Sequence, residues 1–124
     1  MVKTLTGPLG FANVRLLPHR RWEGIGGGVD VYCYQSRQID STLAVRRPHR
    51  NVLDLNDCEA SEQDIAFMTQ DIRPIDVLLN QFSIAGLSGV EHSLEGDVVQ
   101  TLDTMVRDHC ELGAKVTIPF ASFI

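Results

Sequence analysis

No two of the four histidines, His19, His49, His92 and His109, lie within four residues of one another. Metal sites usually draw on a close histidine pair or an HxH pattern, so the local signal for zinc is weak. Cysteine is equally sparse: Cys33, Cys58 and Cys110 are odd in number, far apart and without a CxxC pair. That excludes a disulfide framework or a zinc knuckle and points to reduced thiols. No run of about 18 apolar residues is present, and the opening MVKTLTGPLG has one lysine but no continuous apolar segment. Neither a membrane span nor a signal peptide is supported, and a cytoplasmic location is expected. Positive charge is also short, with 11 Lys and Arg against 16 Asp and Glu and a net charge of -5. An acidic protein is repelled by nucleic acid and by anionic membranes, so neither is expected as a partner. The basic clusters Arg20-Arg21 and Arg46-Arg47, the latter with His49 and Arg50, are the exceptions. Without aromatic interleaving they read first as solvated loop ends and only second as local phosphate sites.

What is present fits one domain. At 124 residues with 44% hydrophobic content, the chain has room for a modest core. Val29 to Tyr34 follows three glycines and is β-branched and aromatic, as a strand after a turn is. Ser41 to Val45 and Asn51 to Leu55 repeat the pattern around the polar connection at Arg46 to Arg50, which predicts a hairpin. Val14 to Leu17 is a further early strand candidate. Ser61 stands three residues before Asp64, a variant of the capping box, and predicts a helix from Glu62 to Asp71 ended by Pro74. Ile75 to Leu79 reads as a buried parallel strand. Glu95 to Leu112 then spaces Val98, Val99, Leu102, Met105, Val106 and Cys110 by threes and fours, which predicts a helix with Gly113 as the left-handed C-cap. Lys115 to Ile118 is a last strand, ended by Pro119. From residue 51 onward the order is βαβαβ, which implies parallel strands with crossover helices.

In such sheets ligands gather at the strand ends. Asn56-Asp57-Cys58 follows one strand, where Asp57 is a candidate ligand but, like Asp54, equally suits a turn cap before the Ser61 helix. Asn80-Gln81-Phe82-Ser83 follows the next; its polar side chains suit either substrate orientation or loop hydrogen bonding. Gly86, Ser88 and Gly89 are too loosely spaced for a nucleotide-binding glycine motif. Ser122 lacks the GxSxG elbow of a serine hydrolase. His109, near a helix C-terminus, suits a stabilising role there.

The runs IDSTLAVRRPHRNVLDLNDCEA, RPIDVLLNQFSIAGLSG and LGAKVTIPFASFI resemble the later half of metallo-β-lactamase-fold proteins similar to CMP-N-acetylneuraminate hydroxylase and related metal-dependent hydrolases and oxygenases. The resemblance implies an α/β architecture, half of an αββα sandwich, with a mixed sheet and a βαβαβ C-terminal portion. It covers residues 29–124 and leaves 1–28 as an N-terminal segment of a single domain, 1–124. It also implies that Asp57 bridges two metal ions, zinc or iron, since two close cations need a shared anion. Asn80, Gln81 and Ser83 would then shape the side facing a small-molecule substrate.

The departure from the family pattern is the motif HxHxDH, which this sequence does not contain. Asp57 alone cannot hold a dinuclear centre. The expected metal site is therefore incomplete unless a complementary chain supplies the rest. The alternative is a noncatalytic binding or assembly module that forms a homo-oligomer through its uncovered sheet face. The finish at Ile124, directly after an apolar strand, favours a truncated or split product whose partner half is elsewhere over a natural half-fold that has lost catalysis and binds something.

Overall fold

The computed structural model describes residues 2–36, 40–56, 58–81 and 94–120. A short helix, α1 (Val2–Thr6), precedes four antiparallel strands: β1 (Trp22–Gly26), β2 (Val29–Gln35), β3 (Ser41–Arg47) and β4 (Arg50–Asp54). Helix α2 (Glu62–Ile72), strand β5 (Val77–Gln81), helix α3 (Leu94–Leu112) and strand β6 (Val116–Phe120) follow. Strands β4, β5 and β6 are parallel, so the predicted βαβαβ portion is present, and the sheet order is the chain order, β1 through β6.

That order decides which face is covered. Crossovers of one hand that always advance in one direction set their helices on the same side of the sheet. Ile65, Met68 and Ile72 of α2 and Leu112 of α3 join one core with Tyr32, Tyr34, Ala44, Leu53 and Leu78 of the strands. Tyr32, Ala44, Leu53 and Leu78 are in register across β2 to β5, and all four are wholly buried. The alternate positions make a second row, Val31, Val45, Val52, Val77 and Val116, also in register. Side chains alternate between faces along a strand, so these valines point the other way. Val116 is 52% exposed there, with Leu43 and Ile118 of the next row at 40% and 47%.

The local signals explain the elements. Ser61 caps α2: its hydroxyl accepts from the Asp64 amide while the Asp64 carboxylate accepts from the Ser61 amide, a full capping box. In the β3–β4 hairpin Pro48 precedes His49, whose φ of 68° is left-handed, the order of a type II turn. Gly113 closes α3 at φ 64°.

Three expectations need correction, and the facing of α3 is a finding beside them. Val14 to Leu17 forms no strand; Trp22–Gly26 does instead, interrupted by an irregular register between Gly24 and Gly26 that obscured its pattern. β6 runs through Pro119 to Phe120, because an edge strand tolerates a residue without an amide hydrogen. The apolar stripe of α3 is split between faces: Val99, Leu102 and Val106 are exposed, while Val98 and Met105, both half-buried, share the face of the buried Asp108 and Leu112. A hydrophobic period fixes which residues share a face, not which face a neighbour covers. Finally, Arg20 is no solvated loop end. It donates from Nε and Nη2 to the two Asp71 carboxylate oxygens at 2.7 and 3.1 Å and lies 4.1 Å over the Phe67 ring.

A candidate active-site cleft at the strand ends

The chain leaves β4 through Leu55 and leaves β5 at Gln81, and the two ends open side by side because the strands are parallel. Between them and α3 lies a cleft of about 490 Å³. Asn56 and Cys58 line it from the β4 side, Asn80 and Gln81 from β5, and Thr104 and Asp108 from α3. Asn56 sits at φ 54°, a left-handed position that asparagine tolerates, and its amide donates to Asp54 Oδ1 at 2.8 Å. This Asx-type turn is the local role foreseen for Asp54.

The floor of the cleft is a buried polar cluster. Asn80 Nδ2 donates to Asp108 Oδ2 at 3.2 Å, and Arg107 donates from Nε and Nη2 to Asp108 Oδ1 at 3.0 and 2.7 Å. The Arg107 Nη2 group also reaches the Ala60 carbonyl at 3.1 Å. Three segments are thus tied together: the end of β5, the middle of α3 and the turn before α2. Asp108 is only 2% exposed, and a carboxylate at that depth is tolerable only because both oxygens are occupied.

Of the expected site residues, Asn80 and Gln81 reach the cleft together. Asn80 is committed to Asp108, so its amide acts first as a latch between strand and helix. Asp57 and Ser83 lie outside the described residues, as does His92. Asp108 and Arg107 were missed, because an acidic pair member inside a helix with an apolar stripe reads as solvated surface. The signal was the helix period itself: Thr101, Met105, Asp108 and Leu112 fall on one face, and a carboxylate there needs a partner.

The remaining titratable groups hold the fold. Among the described residues no three His, Cys, Asp or Glu side chains gather as metal ligands. The Asp108 carboxylate is occupied by Arg107 and Asn80, so the described lining does not by itself fit a metal centre. His109 Nδ1 shares a hydrogen bond of 2.8 Å with the Thr117 hydroxyl, and His19 Nδ1 accepts from the Gln35 amide at 3.0 Å. None of the three cysteines forms a disulfide. Away from the cleft, the Arg20 hydrogen bond to Asp71 holds that carboxyl below the usual range, and Tyr32 donates to the same carboxylate at 2.7 Å. Burial, with the hydrogen bond to Asp64, pushes the Tyr34 phenol up to about 12.

No protein-family profile matches the chain, and no curated protein matches it in sequence. Its fold does match the crystal structure of the short form of human tRNase Z, with a TM-score of 0.51 at 13% identity. The chain carries part of a metallo-β-lactamase-like fold. The likeness covers 76% of this chain and 35% of that structure, so the metallo-β-lactamase-like portion spans about a third of the neighbour's length. No comparison points toward CMP-N-acetylneuraminate hydroxylase. The neighbour's name also overturns the exclusion of nucleic acid as a partner. That exclusion rested on net charge, which averages over the whole surface and does not describe any one patch of it. As to membranes, no described helix is long and apolar enough to cross one.

Proposed function

We propose that this chain is the strand-end half of a metal-dependent hydrolase of metallo-β-lactamase-like fold, whose metal ligands are completed by another polypeptide segment. The cleft at the parallel strand ends carries this reading, because it brings the Asn56 and Cys58 flanks of Asp57 beside Asn80 and Gln81. In it Asp57 is the metal-facing carboxylate, and Asn80, Gln81 and Ser83 form the substrate wall. Zinc or iron would supply Lewis acidity and an activated water. The described residues contribute shape and position: the Asn80–Asp108–Arg107 cluster fixes the cleft floor. Hydrolysis ranks above oxygenation because the structural neighbour is a tRNase by name, and phosphodiesters become the first substrate class to try.

The test is complementation. The chain is mixed with a separately produced polypeptide carrying HxHxDH, and metal content and cleavage of a phosphodiester ester are measured. The expected result is tightly held metal and activity in the mixture, both lost with Asp57→Ala. A chain that stays metal-free and inactive after mixing defeats the reading.

A second reading, a noncatalytic assembly module, is favoured by the exposed apolar residues Leu43, Val116 and Ile118 on the face of the valine row. Apolar surface of this kind favours association at about 25 cal/mol per Å² buried. Sedimentation over a wide concentration range separates the two: a stable metal-free homodimer, indifferent to the HxHxDH partner, supports the module.

A further inference from the structure

The β3–β4 hairpin lies at the other end of the sheet from the cleft. β4 rises from Arg50 toward Asn56, about 20 Å away at the usual rise per residue. An open groove of about 600 Å³ surrounds the hairpin. Arg46, Arg47, Arg50 and Lys115 line it with Asp30 and Asp76, four cations against two carboxylates, an excess of two in a chain of net charge -5.

Two of the four cations are spent within the fold. Arg46 donates to Asp30 Oδ2 from Nη2 at 2.9 Å and lies 4.1 Å over the Trp22 ring. Lys115 donates to Asp76 Oδ1 at 2.7 Å, and the other oxygen of Asp76 accepts from the Asn51 amide at 2.8 Å. The other two cations are not. The Arg47 side chain makes no hydrogen bond or ion pair among the described residues, and Arg50 comes only within 3.9 Å of Asp76 with its side chain 77% exposed. These two arginines are direct partners across the antiparallel ladder. Like charges placed opposite one another repel, and the two-residue turn Pro48-His49 holds them there. An anion between them would relieve what the fold leaves uncompensated.

The geometry points to a binding site for the phosphodiester backbone of a nucleic-acid strand, gripped by Arg47 and Arg50 at the tip of the β3–β4 hairpin. The groove is open and its free guanidinium groups stand at the surface, so it lacks the enclosure that would strip water from a single small phosphate. A strand, by contrast, offers successive phosphates to both arginines and gains by releasing counterions. The exposed His49 imidazole at the turn adds a ring on which an unpaired base can stack. The site is separate from the cleft and its readout is binding, so failure of metal-dependent hydrolysis would leave it untouched.

The test uses the full chain and a fluorescently labelled oligouridylate of about twenty nucleotides, with anisotropy read from 50 to 200 mM salt. Replacing both Arg47→Gln and Arg50→Gln is expected to weaken binding and to flatten the slope of log K against log salt by about 1.4, two phosphate contacts at about 0.7 each. Arg15→Gln, a control at an exposed arginine that does not line the groove, should change neither. If the double variant loses its circular dichroism signal, Arg50→Gln alone gives the same reading at half the slope change. An unchanged slope in a folded variant overturns the site. So does inorganic phosphate that competes as well as the oligonucleotide, or anionic phospholipid vesicles that bind the chain as tightly.

Discussion

The two faces of the sheet are written at alternate positions of the same strands, yet they have different fates. On one face Tyr32, Ala44, Leu53 and Leu78 run across four strands beneath two helices, with no solvent exposure. On the other, Val31, Val45, Val52, Val77 and Val116 run across five strands outside that core, and their cover thins from the buried Val31, through half-buried Val45, Val52 and Val77, to Val116 at 52% exposure. The apolar content of the rows is similar, so composition does not decide which is core. Crossover handedness does, by setting α2 and α3 on one side, and toward Val116 and Ile118 the other face keeps apolar side chains exposed.

The largest expected effect tests the covered row. Leu53→Ala should cost about 3 kcal/mol in denaturant unfolding, and Leu43→Ala on the open face well under half as much. Equal losses would mean that the open face is buried in solution. Next is the polar latch: Asp108→Ala strips Asn80 and Arg107 of their acceptor and should cost about 2 kcal/mol, less than a fully buried pair because Arg107 is partly solvated. A smaller loss, about 1 kcal/mol, is expected for Tyr32→Phe, which removes one hydrogen bond to Asp71 while keeping the ring. The same carboxylate sets an acid limit. The folded-state pKa of Asp71 is depressed, so its contribution is complete above the unfolded value near 4 and fades as pH falls through the lower folded value. Asp76, depressed chiefly by Lys115, acts in the same direction. Thermal melts should therefore fall below about pH 4, and Asp71→Asn should shallow that fall. The smallest effect on stability, within about 0.5 kcal/mol, belongs to Val116→Lys with Ile118→Lys. Those changes should nonetheless abolish any self-association seen by sedimentation; association that persists would move the interface away from the open face.

Much of the covered half was legible in the sequence because its signals are local. Ser61 and Asp64 announce a capped helix, Gly113 its end, and the apolar runs at Asn51 to Leu55 and Ile75 to Leu79 the parallel strands. Trp22–Gly26 was hidden because four of its last and following residues, Gly24 and Gly26 to Gly28, break the alternation that marks a strand. The cleft was half legible: strand ends pointed to Asn80 and Gln81, whereas Asp108 approaches them only through the docking of α3, a contact 28 residues away in the chain. The orientation of α3 was not legible at all, since Val99, Leu102 and Val106 and the face of Asp108 and Leu112 both satisfy helical spacing. At the hairpin the sequence shows Arg46, Arg47 and Arg50 but not which is already paired. Only the positions of Asp30 and Trp22 separate the spent Arg46 from the two that remain.

A sheet whose spatial order equals its chain order has a kinetic consequence. Each strand from β2 to β6 pairs with the one synthesised just before it, so the connections among β1 to β4 are short, the two crossovers each carry a helix, and no strand waits for a partner beyond its neighbour in the chain. The antiparallel ribbon β1 to β4 can form as it leaves the ribosome, and α2 with β5, then α3 with β6, can dock onto it in turn. Growth by addition at one edge is also how a piece of a larger fold can acquire structure without its other part. The valine face would then be available throughout synthesis to whatever polypeptide reaches it first.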